Sequence, residues 1–379
     1  MMLLEHHAKD VLGSVGFPVP EGVLATAPGH RIGFPLMVKA QVPVGGRGKA
    51  GGILRVADDA ALGEALARVM AMTIKGHPVR ACRLERPIAF AQECYLSLIV
   101  DANAGGVKVM MSAEGGVDIE DPALRGKILS QVAGPDLASV ETAIAELAAR
   151  LPLAARGAMR EAALAMARNF FAFEALLIEI NPLFVRADGS WVAGDVKFAV
   201  DENALPRQDA LRAIVEGNAR LYPEAAVKFA RGFDFVVLDP DGDIGLVTTG
   251  AGLSLQLIDE LVARGHRPFN FCDIRTGGFK GDPGRLVEVF RWIAAAPRIR
   301  SVLMNFFAGM TDLGELAKLL LAALDQVPQL KGRPITARLI GNGLAEAQAI
   351  LAAAGSPIAV ETDLERAIAR AVAAIGPAP

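Results

Sequence analysis

The sequence predicts an α/β protein in two parts: an α+β N-terminal part over residues 1–230 and a doubly wound parallel sheet over residues 231–379. Three observations carry that expectation. The chain has 379 residues, 52% of them hydrophobic, enough for more than one core when domains hold roughly 100–200 residues. Between about residues 35 and 120, apolar runs are joined by links too short for crossover helices, which favours antiparallel pairing. After about residue 232, short apolar runs alternate with amphipathic stretches, the grammar of a parallel sheet covered by helices.

The elements follow in order. Residues 3–16 carry a helical pattern ending at Gly16, and "GFPVPEG" stops it because proline lacks an amide hydrogen. Strands are expected at 35–41, 51–57, 81–87, 94–102 and 107–113, interrupted by one helix at 58–74. From 135 to 175 Ala and Leu recur at helical spacing. The segment "EALLIEINPLFVRADGSWVAGDVKFAV" reads as a hairpin turning at Asp188–Gly189. A helical linker then leads into strands at 233–238, 243–249, 268–274, 300–307, 335–340 and 358–360. Between and after them lie helices at 253–264, 284–296, 312–326, 343–354 and 362–375.

Composition excludes some functions. With 39 basic and 42 acidic residues and a net charge of -3, nothing advertises a nucleic-acid partner. Cys82, Cys94 and Cys272 lack metal-ligand spacing and are expected to be small buried hydrophobes in a reducing compartment. No signal peptide and no apolar run of about 18 residues is seen, so a cytoplasmic protein without a membrane partner is expected.

Four stretches could carry chemistry. "KAQVPVGGRGKAGG", Lys39 to Gly52, holds five glycines and three basic side chains. It is not a P-loop, because Ala50 stands where that motif needs a hydroxyl. It is either a glycine-rich surface hairpin or a mobile flap whose amides and Arg47 close over phosphates, with Lys39 reaching from the strand. In the 174–200 hairpin, Glu179 and Asn181 share a face, as do Asp195 and Lys197. An amide oxygen facing a carboxylate suits Mg2+, which takes one or two protein ligands; an ordinary polar hairpin face is the alternative. Glu85 and Glu93 bracket a link containing Ile88 and are either solvated charges or acceptors for a nucleoside. "NFFAGMTDLGELAK" places Gly309, Met310 and Thr311 between a strand and a helix start, an anion site by its open amides or a tight turn with Thr311 or Asp312 as N-cap.

In this order the motifs "EHHAKDVL", "GFPVPEG", "VKAQVPVGGRGKAGG", "ECYLSLIVD", "SAEGGVDIE", "EINPL", "DENALPRQ", "GAGL", "NFCDI" and "LIGNG" resemble the β subunit of succinyl-CoA synthetase, of the nucleoside-diphosphate-forming acid–CoA ligase family. The resemblance spans essentially the whole chain and implies an ATP-grasp fold followed by a flavodoxin-like CoA-ligase domain. It implies that Lys39, Gly46, Arg47, Gly48, Glu85, Ile88 and Glu93 hold ATP and that Asn181 and Asp195 hold Mg2+. Pro20 matches members that prefer ATP to GTP. The reaction so implied turns a small carboxylic acid, CoA and ATP into a thioester through an acyl-phosphate and a phosphohistidine. None of the five histidines falls in a family motif, so the resemblance places the phosphorylated histidine and most of the CoA site on a separate α subunit, in an αβ or α2β2 assembly. Arg47 and Glu179 would then be catalytic, Glu179 by orienting the visiting histidine.

The acid site departs from the family pattern. Thr249 stands where succinate-specific members have the asparagine of "NGAG". "FAGMTDL" is shorter than their "FGGIVRCDL" and lacks its arginine. Thr249, Gly309, Met310 and Thr311 are the expected acid contacts, with succinate, malate or a similar acid as substrate, and Arg275 or Lys280 in the enlarged "CDIRTGGFKGD" loop is a candidate replacement charge. A stand-alone ATP-grasp carboxylate–amine ligase and a non-catalytic nucleotide-binding paralogue are the competing functions.

Overall fold

The computed structural model describes residues 1–26, 32–116, 126–275, 277, 279–309 and 311–375. The chain divides into two compact units, Met1–Leu221 and Tyr222–Pro379. The division falls inside the expected helical linker.

The first unit opens with α1 (Glu5–Ser14), followed by β1 (Gly22–Ala25), β2 (Leu36–Ala40), β3 (Ile53–Val56), α2 (Asp59–Met70), the short pair β4 (Thr73–Ile74) and β5 (His77–Pro78), and β6 (Cys82–Glu85). Strands β1, β6, β2 and β3 form an antiparallel sheet in that order. Asp58 caps α2 by accepting the Ala61 N–H. Leu62, Ala65, Leu66 and Val69 then recur at three- and four-residue spacing and bury against this sheet. Each such leucine contributes about 1.5–3 kcal/mol on burial.

The second sheet of this unit comprises β7 (Gln92–Asp101), β8 (Gly106–Ser112), β9 (Leu129–Ala133), β10 (Ala175–Val185), β11 (Trp191–Ala193) and β12 (Val196–Val200). Its order is β11-β10-β7-β8-β9, with β12 also paired to β10. Helices α3 (Leu137–Ala149) and α4 (Leu153–Ala172) pack on it. The N-terminus extends this sheet, Leu3 N–H donating to the Phe198 carbonyl at 2.8 Å and Val200 N–H to that of Met1 at 2.9 Å. That pairing sets α1 beside the β10–β12 hairpin. A short 3-10 turn and α5 (Asp209–Gly217) end the unit.

The second unit runs α6 (Pro223–Arg231), β13 (Asp234–Val237), β14 (Ile244–Thr248), α7 (Ala251–Ala263), β15 (Asn270–Asp273), α8 (Gly284–Ala295), β16 (Ser301–Ala308), α9 (Leu313–Gln326), β17 (Ile335–Gly341), α10 (Leu344–Ala353), β18 (Ile358–Glu361) and α11 (Leu364–Ala373). Strands β14, β16, β17 and β18 form a parallel sheet in that order. Along β16 the side chains of Val302, Met304 and Phe306 enter one core with α8 and α9, while Leu303 enters the opposite core with α7 and α11. Helices therefore cover both faces, as a doubly wound sheet requires. One detail differs from the expectation: β13 pairs antiparallel with β15. The link 238–243 holds no crossover helix, and without one β13 and β14 cannot be parallel neighbours.

Candidate functional site

In the first unit, α1 brings Glu5 and Lys9 onto one face a turn apart, since residues four apart on a helix are neighbours. Both side chains are buried. The Lys9 ammonium donates to Glu5 Oε1 at 2.6 Å, Glu85 Oε2 at 2.7 Å and the Gly194 carbonyl at 2.7 Å. Lys39, reaching from β2, pairs with Glu85, with Glu5 Oε1 at 3.0 Å and with the same Gly194 carbonyl at 2.8 Å. Arg47 turns inward from the flap: it donates to the Ala40 carbonyl at 2.9 Å and to Asp195 Oδ1 at 2.6 Å, and lies 2.7 Å from Glu5 Oε2. Arg83 completes the cluster with Glu85 Oε2 at 2.8 Å, the Pro20 carbonyl at 2.8 Å and His6 Nδ1 at 2.7 Å.

These charges survive burial because each is paired. Burial alone opposes ionisation of Glu5, but the Arg47, Lys39 and Lys9 cations outweigh it and hold the carboxyl well below its usual range. Burial likewise opposes the Glu85 charge, and Lys9 and Lys39 overcome it. Burial works against the Lys39 ammonium too, yet Glu5, Glu85 and Asp195 raise its pKa. For Lys9 burial wins, and its pKa falls.

The flap itself, residues 41–52, turns through Ala50 N–H to the Gly46 carbonyl and Gly52 N–H to that of Arg47. Gly46 has φ +86°, a left-handed conformation glycine adopts without cost. Gly48 and Lys49 are exposed. A Cβ on Gly45 would lie 3.2 Å from Lys197 Cε, so the flap backbone rests against the hairpin.

The hairpin turns where the sequence places it, with Gly189 N–H donating to the Arg186 carbonyl. Glu179 and Lys197 are direct cross-strand partners and form an ion pair, while Tyr95 Oη donates to Glu179 Oε2 at 3.4 Å. Asn181 N–H donates to the Asp195 carbonyl at 3.1 Å, so the two expected metal ligands do face each other. Asn181 Oδ1 accepts the Gly116 N–H at 2.7 Å. An amide oxygen and a carboxylate are hard donors of the kind Mg2+ takes, and the residues present fit that ion once Arg47 yields Asp195 Oδ1.

Glu85 ends β6 and Glu93 sits on β7, so the link 86–91, with half-buried Ile88, crosses from one sheet to the other. Their environments differ. The Glu85 carboxylate is spent on Lys9, Lys39 and Arg83, whereas Glu93 is half-buried and burial raises its pKa.

In the second unit, Thr249 follows β14 and Gly250 opens α7. Thr249 N–H donates to the Asn305 carbonyl at 3.2 Å, and its Oγ1 accepts the Phe307 N–H at 3.1 Å. Thr249, Gly250, Leu253, Gln256, Phe307, Arg338 and Leu364 line an open pocket of about 570 Å³. Gly309 is exposed and Thr311 half-buried; Met310 lies outside the described residues. The N-cap of α9 is Asp312, which accepts from Gly314 and Glu315, not Thr311. Arg275 forms an ion pair with Asp234, and neither it nor Lys280 is among the residues lining this pocket.

Sequence reasoning missed Glu5, Lys9, Arg83 and Gly194. "EHHAKD" was visible as a motif, but nothing in it says that its Glu and Lys meet residues far along the chain. Gly194 is required by close approach: a Cβ there would lie 2.4 Å from Phe184 Cε2. All three cysteines are free and buried, as expected. No helix among the described residues is long and apolar enough to cross a membrane.

Residues 2–185 match the ATP-grasp domain family. The chain is 36% identical over 385 residues to a Chloroflexus aggregans protein named succinate–CoA ligase [ADP-forming] subunit beta, covering 99% of this chain and 98% of that one. It is 34% identical to the protein of that name from Halobacterium salinarum, covering 98% of each. In three dimensions it is similar to ATP citrate lyase from Methanothrix soehngenii, solved with citrate and coenzyme A, at a TM-score of 0.69 and 18% identity over 95% of each chain; that likeness concerns the fold. Sequence identity over nearly the full length, together with an ATP-grasp unit preceding a doubly wound one, places the chain in the β-subunit family of ADP-forming succinate–CoA ligases.

Proposed function

We propose that the chain is the nucleotide-binding subunit of an ADP-forming acid–CoA ligase that works with an α subunit, making a thioester from a small carboxylic acid, CoA and ATP through a phosphohistidine on that partner. The observation that carries this is the convergence of Lys39, Arg47, Asp195 and Asn181 where the two sheets of the first unit meet.

In this reading Lys39 and Arg47 meet the nucleotide phosphates, with Gly46 and Gly48 supplying flap amides, and Glu85, Ile88 and Glu93 frame the nucleoside from the link and its flanks. Because the Glu85 carboxylate already holds three cations, its contribution is to fix Lys39 rather than to accept from ribose. Mg2+, when bound, offsets phosphate charge, and Asn181 and Asp195 are the residues that hold it. Arg47 has a double use: it occupies Asp195 here and turns to the phosphates when nucleotide is present. Glu179, backed by Lys197 and Tyr95, orients the partner's histidine. Thr249, Gly309, Met310 and Thr311 frame the acid in the second unit.

The test is ADP release by the purified chain, with and without its α partner, against a panel of small acids with and without CoA. Sustained ADP release, beyond the one equivalent that phosphorylates the partner, is expected to need partner, CoA and one acid class. Turnover without the partner but with an amine acceptor would replace this reading with a carboxylate–amine ligase, and tight Mg-ATP binding without any turnover would replace it with a non-catalytic paralogue.

A further inference from the structure

We propose that Arg338 is the specificity residue for the acid: its guanidinium binds the distal carboxylate of a dicarboxylate whose reacting end lies toward Thr249. The inference rests on the ligase reading and sharpens it.

Among the described residues lining the 570 Å³ pocket, Arg338 is the one that is charged. It projects from β17 on the face that carries α7 and α11, because its strand neighbours Ala337 and Leu339 both point into the opposite core. Two of its donors are fixed: Nε donates to the Thr362 carbonyl at 3.1 Å and Nη1 to Asn305 Oδ1 at 3.1 Å. Those bonds hold the plane of the guanidinium, and Nη2 has no acceptor among the described residues. Thr249 and Gly250 line one end, and Leu253, Phe307 and Leu364 with the amide of Gln256 line the rest; Phe307 is 60% exposed although its main chain is part of the sheet. A fixed cation in an otherwise apolar wall selects a ligand with an apolar body and one charged end.

The second polar feature stands at the strand end. Thr249 Oγ1 accepts the Phe307 N–H, which leaves the hydroxyl hydrogen to donate. Beneath both, Asn305 is fully buried, gives its main-chain carbonyl to Thr249 N–H and its Oδ1 to Arg338, and keeps an Nδ2 with no partner among the described residues. One buried residue, through its main-chain carbonyl and its side-chain oxygen, thus ties Thr249 and Arg338 to each other. A ligand with carboxylates at both ends satisfies both; a monocarboxylate leaves the guanidinium unpaired, and a site built around a charged group rejects the analogue lacking its partner. The same geometry accounts for the missing loop arginine: the positive charge is supplied from β17, and Arg275 is occupied by Asp234.

The experiment compares kcat/KM for a C4 dicarboxylate and for the monocarboxylate of equal length, in the complex with the α partner, for wild type, Arg338→Ala, Arg338→Lys and Arg275→Ala. Arg338→Ala is expected to raise the dicarboxylate KM by about 10- to 100-fold, the loss typical of a charge-assisted hydrogen bond, and to leave KM for ATP and CoA unchanged. The dicarboxylate-to-monocarboxylate ratio falls by the same factor, Arg338→Lys falls between, and Arg275→Ala matches wild type. Because Arg338 also joins β17 to Thr362, Leu364→Glu serves as a variant that spares it: a negative charge at the pocket wall raises the dicarboxylate KM more than the monocarboxylate KM. An unchanged ratio in an active Arg338→Ala enzyme, or in Leu364→Glu should Arg338→Ala not fold, overturns the role of Arg338 alone. Wild type that turns over ATP to ADP repeatedly with no acid, beyond the single equivalent that phosphorylates the α partner, overturns the ligase reading and this inference with it.

Discussion

The two units build their candidate sites from opposite materials. In the first, charged side chains are buried against one another: Lys9, Lys39, Arg47 and Arg83 interlock with Glu5, Glu85 and Asp195 across α1, two sheets and the flap. In the second, the site is a set of strand ends and helix starts above an apolar core, with one guanidinium in a wall of Leu and Phe. A buried network fails when one member is removed, because the others are left desolvated and unpaired. Strand-end loops tolerate exchange, since the sheet beneath them holds its shape through apolar packing.

The sharpest way to break this comparison is Glu5→Ala, which strips the shared partner from Lys9, Lys39 and Arg47. It is expected to cost about 3–5 kcal/mol, the range for orphaning buried charges, read by denaturant unfolding and by amide exchange confined to the first unit. A loss below about 1 kcal/mol would mean the cluster is not what holds that unit. Gly194→Ala is next. Its Cβ would meet Phe184 Cε2 at 2.4 Å and the Pro182 carbonyl at 2.8 Å, displacing the carbonyl that Lys9 and Lys39 share, for an expected cost of about 1–3 kcal/mol. The same substitution at exposed Gly309, where a Cβ meets nothing within 4 Å, should be nearly silent in stability.

Acid gives a milder test that also separates the units. Burial, and then the Arg83 charge, lowers the His6 pKa to about 4; burial, and then His6, does the same for His7. Between the unfolded value near 6.5 and 4, the unfolded chain therefore binds more protons than the folded one, so stability falls as pH falls through that window. Below it the depressed Glu5 carboxyl adds a further loss in the same direction, while Asp10, whose pKa burial raises, opposes it in part. Protection factors of α1 amides, corrected for intrinsic exchange at each pH, should fall from pH 6.5 downward, ahead of those in β16. Equal protection of both at pH 4.5 would show that the histidines do not report on the cluster.

Much of this architecture was legible from the sequence and the key contacts were not. The alternating pattern after residue 232 marks the parallel sheet because buried strands and amphipathic helices have different periods, and Asp188–Gly189 marks the hairpin by its turn chemistry. β1 and β9 escaped because both are short and only partly buried, and β9 mixes polar with apolar residues. The ion cluster was invisible for a different reason: Lys9 meets Glu85 across 76 residues and Arg47 meets Asp195 across 148, and no local pattern encodes such a pairing. Lys39 and Arg47 were found as basic residues in a glycine-rich stretch and Glu85 and Asp195 as separate candidates, but their pairing, and Glu5 with it, was not.

The central claim is that the flap presents Arg47, and not Lys49, to the nucleotide. The direct measurement is nucleotide-dependent phosphorylation of the α partner by Arg47→Ala and Lys49→Ala, each reconstituted at equal concentration, with Mg-ATP affinity measured alongside. Arg47→Ala is expected to lose about 100-fold or more in phosphorylation, on the scale of removing one preorganised charge contact, and Lys49→Ala less than about threefold, as for an exposed charge. Equal losses from the two substitutions would mean that the loop faces the other way and that the buried Arg47–Asp195 pair is purely structural.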